Sequence, residues 1–131
     1  MSTKRSHIVA KLSVGVLAVA CSALPFSASA ADPAAGQLVF KANCAVCHTV
    51  VPGKALVGPS LFGVVGRHSG QEPGFHYSAA NRAADLTWDA ATLDKYIASP
   101  QTVVHGTIMA FPGLPDAAKR ADLIAYLATL K

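Results

Sequence analysis

Between Thr49 and Gly74 the chain carries six glycines and three prolines, with no helical or strand periodicity. A structureless run of that length is uncommon inside a compact domain, because irregular backbone leaves N–H and C=O groups that need partners. The run makes sense where the loop wraps something other than protein. A second segment rich in glycine and proline, His105 to Pro115, adds to the constraint. Such a chain is expected to close long loops over a non-protein interior, held by a few helices.

Three helices are expected around those loops. The first starts at Asp32-Pro33, a capping residue followed by proline at the first helical position. Gly36, Val39, Phe40 and Asn43 then recur on one face. The second starts at Thr87, with Asp89 in its first turn, Leu93, Tyr96 and Ile97 as its apolar face and Pro100 as its end. The third starts near Asp116 and carries the stripe Leu123, Tyr126, Leu127, Leu130. No strand pair is expected.

Residues 1–30 do not read as part of that domain. Lys4, Arg5 and Lys11 make a basic start, Leu12 to Leu24 is an uncharged apolar run, and Ala28-Ser29-Ala30 offers small residues at cleavage-site spacing. The expectation is a secretory signal peptide over 1–30, cut after Ala30, with the functional domain at 31–131. An uncleaved anchor is the alternative, since the uncharged stretch from Leu12 to Ala31 just reaches spanning length, but Gly15, Pro25 and four serines interrupt it. Lipid attachment at Cys21 fits its preceding residues poorly. Of the 11 basic residues, Lys4, Arg5 and Lys11 lie in this segment; the 8 that remain face 7 acidic ones, a net of +1. The basic character of the chain is therefore a targeting feature and does not argue for nucleic-acid binding.

Cys44 and Cys47 lie too close together for a disulfide between them to remove much chain entropy. With the next residue they form Cys44-Ala45-Val46-Cys47-His48, the haem c attachment pattern. Two thiols can add to the two vinyl groups of one haem, and His48 offers an imidazole nitrogen to its iron. A zinc site would need a fourth ligand from a second paired motif, which is lacking. A thioredoxin-like pair would need strands. Met109 is the one methionine beyond Met1. In its Gly/Pro loop it is either core filler or a thioether ligand of the kind that raises a haem potential.

The order of motifs along the chain resembles class I cytochrome c, the mitochondrial type and its small soluble bacterial relatives. The residues that carry the resemblance are Gly36 and Phe40, the Cys44–His48 motif, Gly58-Pro59, Gly66-Arg67, Gly74 through Asn81, Thr87-Trp88, Tyr96, Pro100, Gly106-Thr107-Ile108-Met109 and Asp122 through Leu127. The resemblance implies an all-α cytochrome c fold, about three main helices with long loops around one covalently attached haem. It implies that Met109 is the second iron ligand beside His48, and that the Pro59 carbonyl accepts a hydrogen bond from His48. Tyr77, Trp88 and Arg67 correspond to residues that hold the buried haem propionate, and Tyr96 and Asn81 to a polar network near the methionine sulfur. Gly36, Phe40, Leu123 and Tyr126 correspond to a close helix crossing. Each of these taken singly also has a plain reading, as core filling, a turn or a solvated side chain.

Two features depart from the family pattern. His105 stands where proline is usual, and is expected to be an exposed loop histidine. Leu38, Asn43, Gln101 and Ile108 occupy positions that carry lysines in the mitochondrial type. The function implied is a periplasmic, monomeric, single-haem carrier that moves one electron at a time between redox protein donors and acceptors. It would have no small-molecule substrate and no catalytic residues. The alternative is a haem peroxidase or ligand-binding haem protein with an open iron position.

Overall fold

The computed structural model describes residues 30–131; apart from Ala30, the expected signal segment lies outside the described residues. Five helices occur in the order α1 (Pro33–Asn43), α2 (Ala79–Ala83), α3 (Ala90–Ala98), α4 (Pro100–Val103) and α5 (Ala117–Ala128). Among the described residues β-structure is limited to a single bridge, His68 to Thr87.

Each main helix begins at an aspartate that accepts a hydrogen bond from the first turn. Asp32 accepts from Ala34, Asp89 from Thr92 and Asp116 from Lys119, at 2.8, 2.7 and 3.1 Å. The second helix starts three residues later than the sequence predicts. Thr87 is taken by the bridge to His68, and Asp89 is the cap rather than a first-turn residue. Pro100 does not simply end that helix. It opens α4 at the helix start, where the missing N–H costs nothing.

The helix pair α1 and α5 forms the structural centre. A Cβ at Gly36 would run into the Asp122 carbonyl and lie 2.8 Å from Tyr126 Cβ, so only glycine lets the backbones approach. Beside that crossing the Phe40 and Tyr126 rings pack with centroids 5.8 Å apart. The Asp32 backbone N–H also donates to Asp122 Oδ1 at 2.8 Å, tying the start of α1 to α5. Leu93, Tyr96 and Ile97 of α3 and Leu123, Ile124 and Leu127 of α5 join the buried core, with Val39, Val64, Trp88, Val104 and Leu114.

The long loop closes against this frame by backbone hydrogen bonds. Gly63 N–H donates to Leu130 O, Gly66 N–H to Trp88 O and Ser69 N–H to Leu86 O, at 2.8, 3.0 and 2.8 Å. Ser60 is wholly buried; its hydroxyl donates to Val51 O at 2.7 Å and accepts from Phe62 N–H at 3.2 Å. The loop is thus pinned at several points while its inner side faces a cavity.

Two outcomes follow from this frame. Gly36→Val should lower stability to denaturant by about 3 kcal/mol, since the crossing cannot widen without breaking the α1–α5 core. A midpoint unchanged from wild type would contradict the close-approach account. The Thr92 N–H bond holds the exposed Asp89 carboxyl below its ordinary value. A depressed carboxyl stabilises the fold above the unfolded-state pKa and loses that contribution as pH falls through the folded value. The difference in Tm between wild type and Asp89→Asn should therefore close as pH is lowered from about 7 to about 2.

Candidate haem site

The end of α1 delivers the cysteines. Cys44 caps the helix, its N–H donating to Phe40 O at 2.8 Å. The chain then turns tightly: Cys47 and His48 N–H groups both donate to Cys44 O, at 3.0 and 2.9 Å. Both cysteine side chains are half-buried and line a cavity of about 330 Å³. Before haem is attached, burial, with a smaller contribution from Cys47, pushes the Cys44 thiol up to about 11.

His48 lines the same cavity. Its Nδ1 lies 2.8 Å from the Pro59 carbonyl. A carbonyl only accepts, so Nδ1 carries the proton and the Nε2 lone pair is left available. Burial lowers the His48 pKa, the bond to Pro59 opposing it in part, which favours the neutral imidazole that a metal requires. Gly58 sets the other side of the ring. A Cβ there would collide with the imidazole, and its N–H donates to Cys47 O at 2.8 Å.

Met109 reaches the cavity from the loop after α4. Tyr96 OH donates to its sulfur at 3.7 Å and lies 3.3 Å from Thr107 Oγ1. Thr107 Oγ1 in turn donates to Asn81 Oδ1 at 2.9 Å and accepts from Met109 N–H at 3.3 Å. Ser78 Oγ also donates to Asn81 Oδ1, at 2.9 Å. Asn81 thus meets the methionine loop through Thr107, a buried hydroxyl to which the sequence reading assigns no role. Its place two residues before Met109 was the available clue. His105, in the same loop, is exposed.

Trp88, Tyr77 and Arg67 form another part of the wall. Trp88 is buried and packs on Tyr96 with ring centroids 4.7 Å apart. Arg67 Nη1 pairs with Glu72 Oε2 and donates to Phe62 O at 3.2 Å, and Nη2 donates to Ser60 O at 2.9 Å. The Arg67–Glu72 pair is a feature sequence reasoning missed, though Glu72 is the sole glutamate of the chain and the sole acid of its loop. Burial raises the Tyr77 hydroxyl; the Arg67 charge and a hydrogen bond to the Glu72 backbone oppose this, and the Glu72 carboxylate adds to it.

These residues fit a covalent haem. The cavity walls are largely apolar, formed by Leu61, Val64, Ile97, Leu123 and Leu127 among others. Two thiols, a neutral imidazole and a thioether sulfur converge on them. Arg67 Nε is buried with no partner among the described residues. An orphaned donor on that wall suits the acid side chain of such a cofactor.

The comparisons agree with this geometry. The cytochrome c family model matches residues 33–131. The chain is 54% identical over 105 residues to cytochrome c2 of Rhodopila globiformis, covering 80% of this chain and 99% of that protein. It is 45% identical over 101 residues to cytochrome c of Nigella damascena, covering 76% and 91%. Among solved structures it resembles cytochrome cH from Methylobacterium extorquens, with a TM-score of 0.70 and 44% identity, covering 75% of this chain and 98% of that one. The chain belongs to the cytochrome c family. It is a single-haem electron carrier with haem c bound covalently through Cys44 and Cys47 and iron at its centre.

Thr107→Val keeps the shape of the side chain but leaves its buried partners short of a hydroxyl. It should cost about 2 kcal/mol in denaturant unfolding and speed hydrogen exchange at the Met109 amide, while Thr107→Ser restores most of both. Unchanged exchange at Met109 would remove Thr107 from the account.

Proposed function

We propose that this protein is an exported, monomeric one-electron carrier of the periplasm, with iron held between His48 and Met109. Its working form is residues 31–131 after cleavage behind Ala30. The basic start, apolar run and small-residue site of residues 1–30 support export. The observation that carries the ligand assignment is a pair of hydrogen bonds on the walls of one cavity. Pro59 fixes the His48 ring, and Tyr96 fixes the Met109 sulfur.

When bound, the haem iron changes oxidation state by one electron. The protein's share is to hold its surroundings still. His48 keeps one tautomer, and Met109 keeps its sulfur in place through Tyr96 and Thr107. With iron bound, His48 and Met109 would both hold it, and a thioether ligand would raise the potential and leave no open site of the kind a peroxidase or ligand-binding protein needs. Cys44, Cys47, Pro59, Arg67, Tyr77, Asn81, Trp88 and Tyr96 are the residues proposed to hold the cofactor.

The exposed rim of the cavity serves as the docking face for redox protein donors and acceptors. Val46, Val57 and Ile108 line the cavity and are 80%, 79% and 73% exposed. Leu38, at another position that carries lysine in the mitochondrial type, is 65% exposed. Phe111, which also lines the cavity, is half-buried, and Pro112 beside it is exposed. With a mature balance of +1, encounter gains little from charge, and docking is brief, as redox encounters are.

Two measurements test this reading. Met109→Ala should lose the methionine–iron charge-transfer band, lower the midpoint potential and bind cyanide readily; retention of the band would overturn the ligand assignment. Electron exchange between reduced and oxidised copies should change less than about twofold between about 10 and 200 mM salt. A steep salt dependence would contradict the apolar rim.

A further inference from the structure

Arg67 and Glu72 form an ion pair shielded from solvent, their side chains 16% and 8% exposed. Arg67 is one of the residues that line the cavity, and Glu72 is joined to it by the ion pair. The Ser60 and Phe62 carbonyls hold the same guanidinium from the long loop. Its Nε alone is left without a protein partner. A wall that needed Arg67 only as a positive charge beside a cofactor carboxylate would not place a second carboxylate against it. Burying that second charge is expensive unless it is paired, so the pair is a built feature of this wall.

We propose that Glu72 is a positioning residue that acts through Arg67 to hold the iron's reduction potential down. Its carboxylate takes one edge of the guanidinium and offsets the positive charge that Arg67 presents to the cavity, leaving Nε for the cofactor's acid group. Positive charge near iron disfavours the oxidised form, which carries one more positive charge than the reduced form. Compensating Arg67 stabilises the oxidised form, and removing the compensation stabilises the reduced one. The low dielectric of a buried wall lets a single charge act across the cavity with little screening. Tyr77, on the same wall, feels both charges, so the pair acts on the cavity side as well as between the two residues themselves.

The inference rests on the carrier reading, and its test keeps the two apart. Glu72→Gln retains an oxygen that can accept from Arg67 but loses the charge. In a spectroelectrochemical titration its midpoint should rise, with the ratio of reduced to oxidised protein at fixed ambient potential increasing roughly threefold or more, about 28 mV on the 59 mV per decade of a one-electron couple. Glu72→Asp keeps the charge and should stay near the wild-type midpoint, which a purely structural role for the side chain does not predict. Glu72→Ala removes the same charge at a loop position and gives the second reading should the glutamine variant fold poorly. An unchanged or lowered midpoint in the charge-removing variants, with the methionine–iron band intact, would overturn the role of Glu72 alone. Absence of that band from the wild-type protein would instead overturn the Met109 assignment.

Discussion

Loops that line a cavity of about 330 Å³ have little protein on their inner side to pack against. A domain of roughly 100 residues buries a limited apolar core, and here much of that core is the α1–α5 crossing and the face of α3. The loop between Thr49 and Gly74 touches this frame through backbone hydrogen bonds and a few buried side chains. Of its apolar groups, Val57, Leu61 and Val64 line the cavity. The covalent cofactor is therefore as much a part of the interior as the leucines of α5. Attachment at Cys44 and Cys47 places it at the end of α1, where the helix cap and the cofactor meet.

The same arrangement explains why this fold suits electron transfer. Several polar groups on the cavity walls are tied to backbone or to buried side chains: His48 to Pro59, Met109 to Tyr96 and Thr107, Arg67 to Ser60, Phe62 and Glu72. A pocket so held has little to rearrange when one charge is added or removed. Val46, Val57 and Ile108 form an exposed apolar rim at the cavity's edge.

The parts of the molecule legible in the sequence are those governed by local chemistry. The aspartate caps and the apolar stripes place α1 and α5 to within a residue or so. The Cys44–His48 motif identifies its cofactor because five consecutive residues carry the whole requirement. Pro59, Met109 and the aromatic positions became meaningful through their order along the chain. What stayed hidden depends on contacts between distant residues. Thr107 joins Asn81 across 26 positions. The bridge from His68 to Thr87 moves the start of α3, and no periodicity reports it. α2 and α4, of five and four residues, are too short to show a periodic face. The pairing of Arg67 with Glu72 stayed hidden because no periodicity in that loop places the two side chains together.

The central claim, that the cofactor completes the interior, is tested most directly by the double variant Cys44→Ala/Cys47→Ala, which cannot hold haem covalently. Its amide hydrogen exchange and denaturant unfolding should be compared with those of the haem-bearing protein. The account predicts no cooperative unfolding transition and no protected amides in α1 or α5 of the haem-free chain. A cooperative transition with those helices protected would show that the protein core suffices alone, and would contradict it.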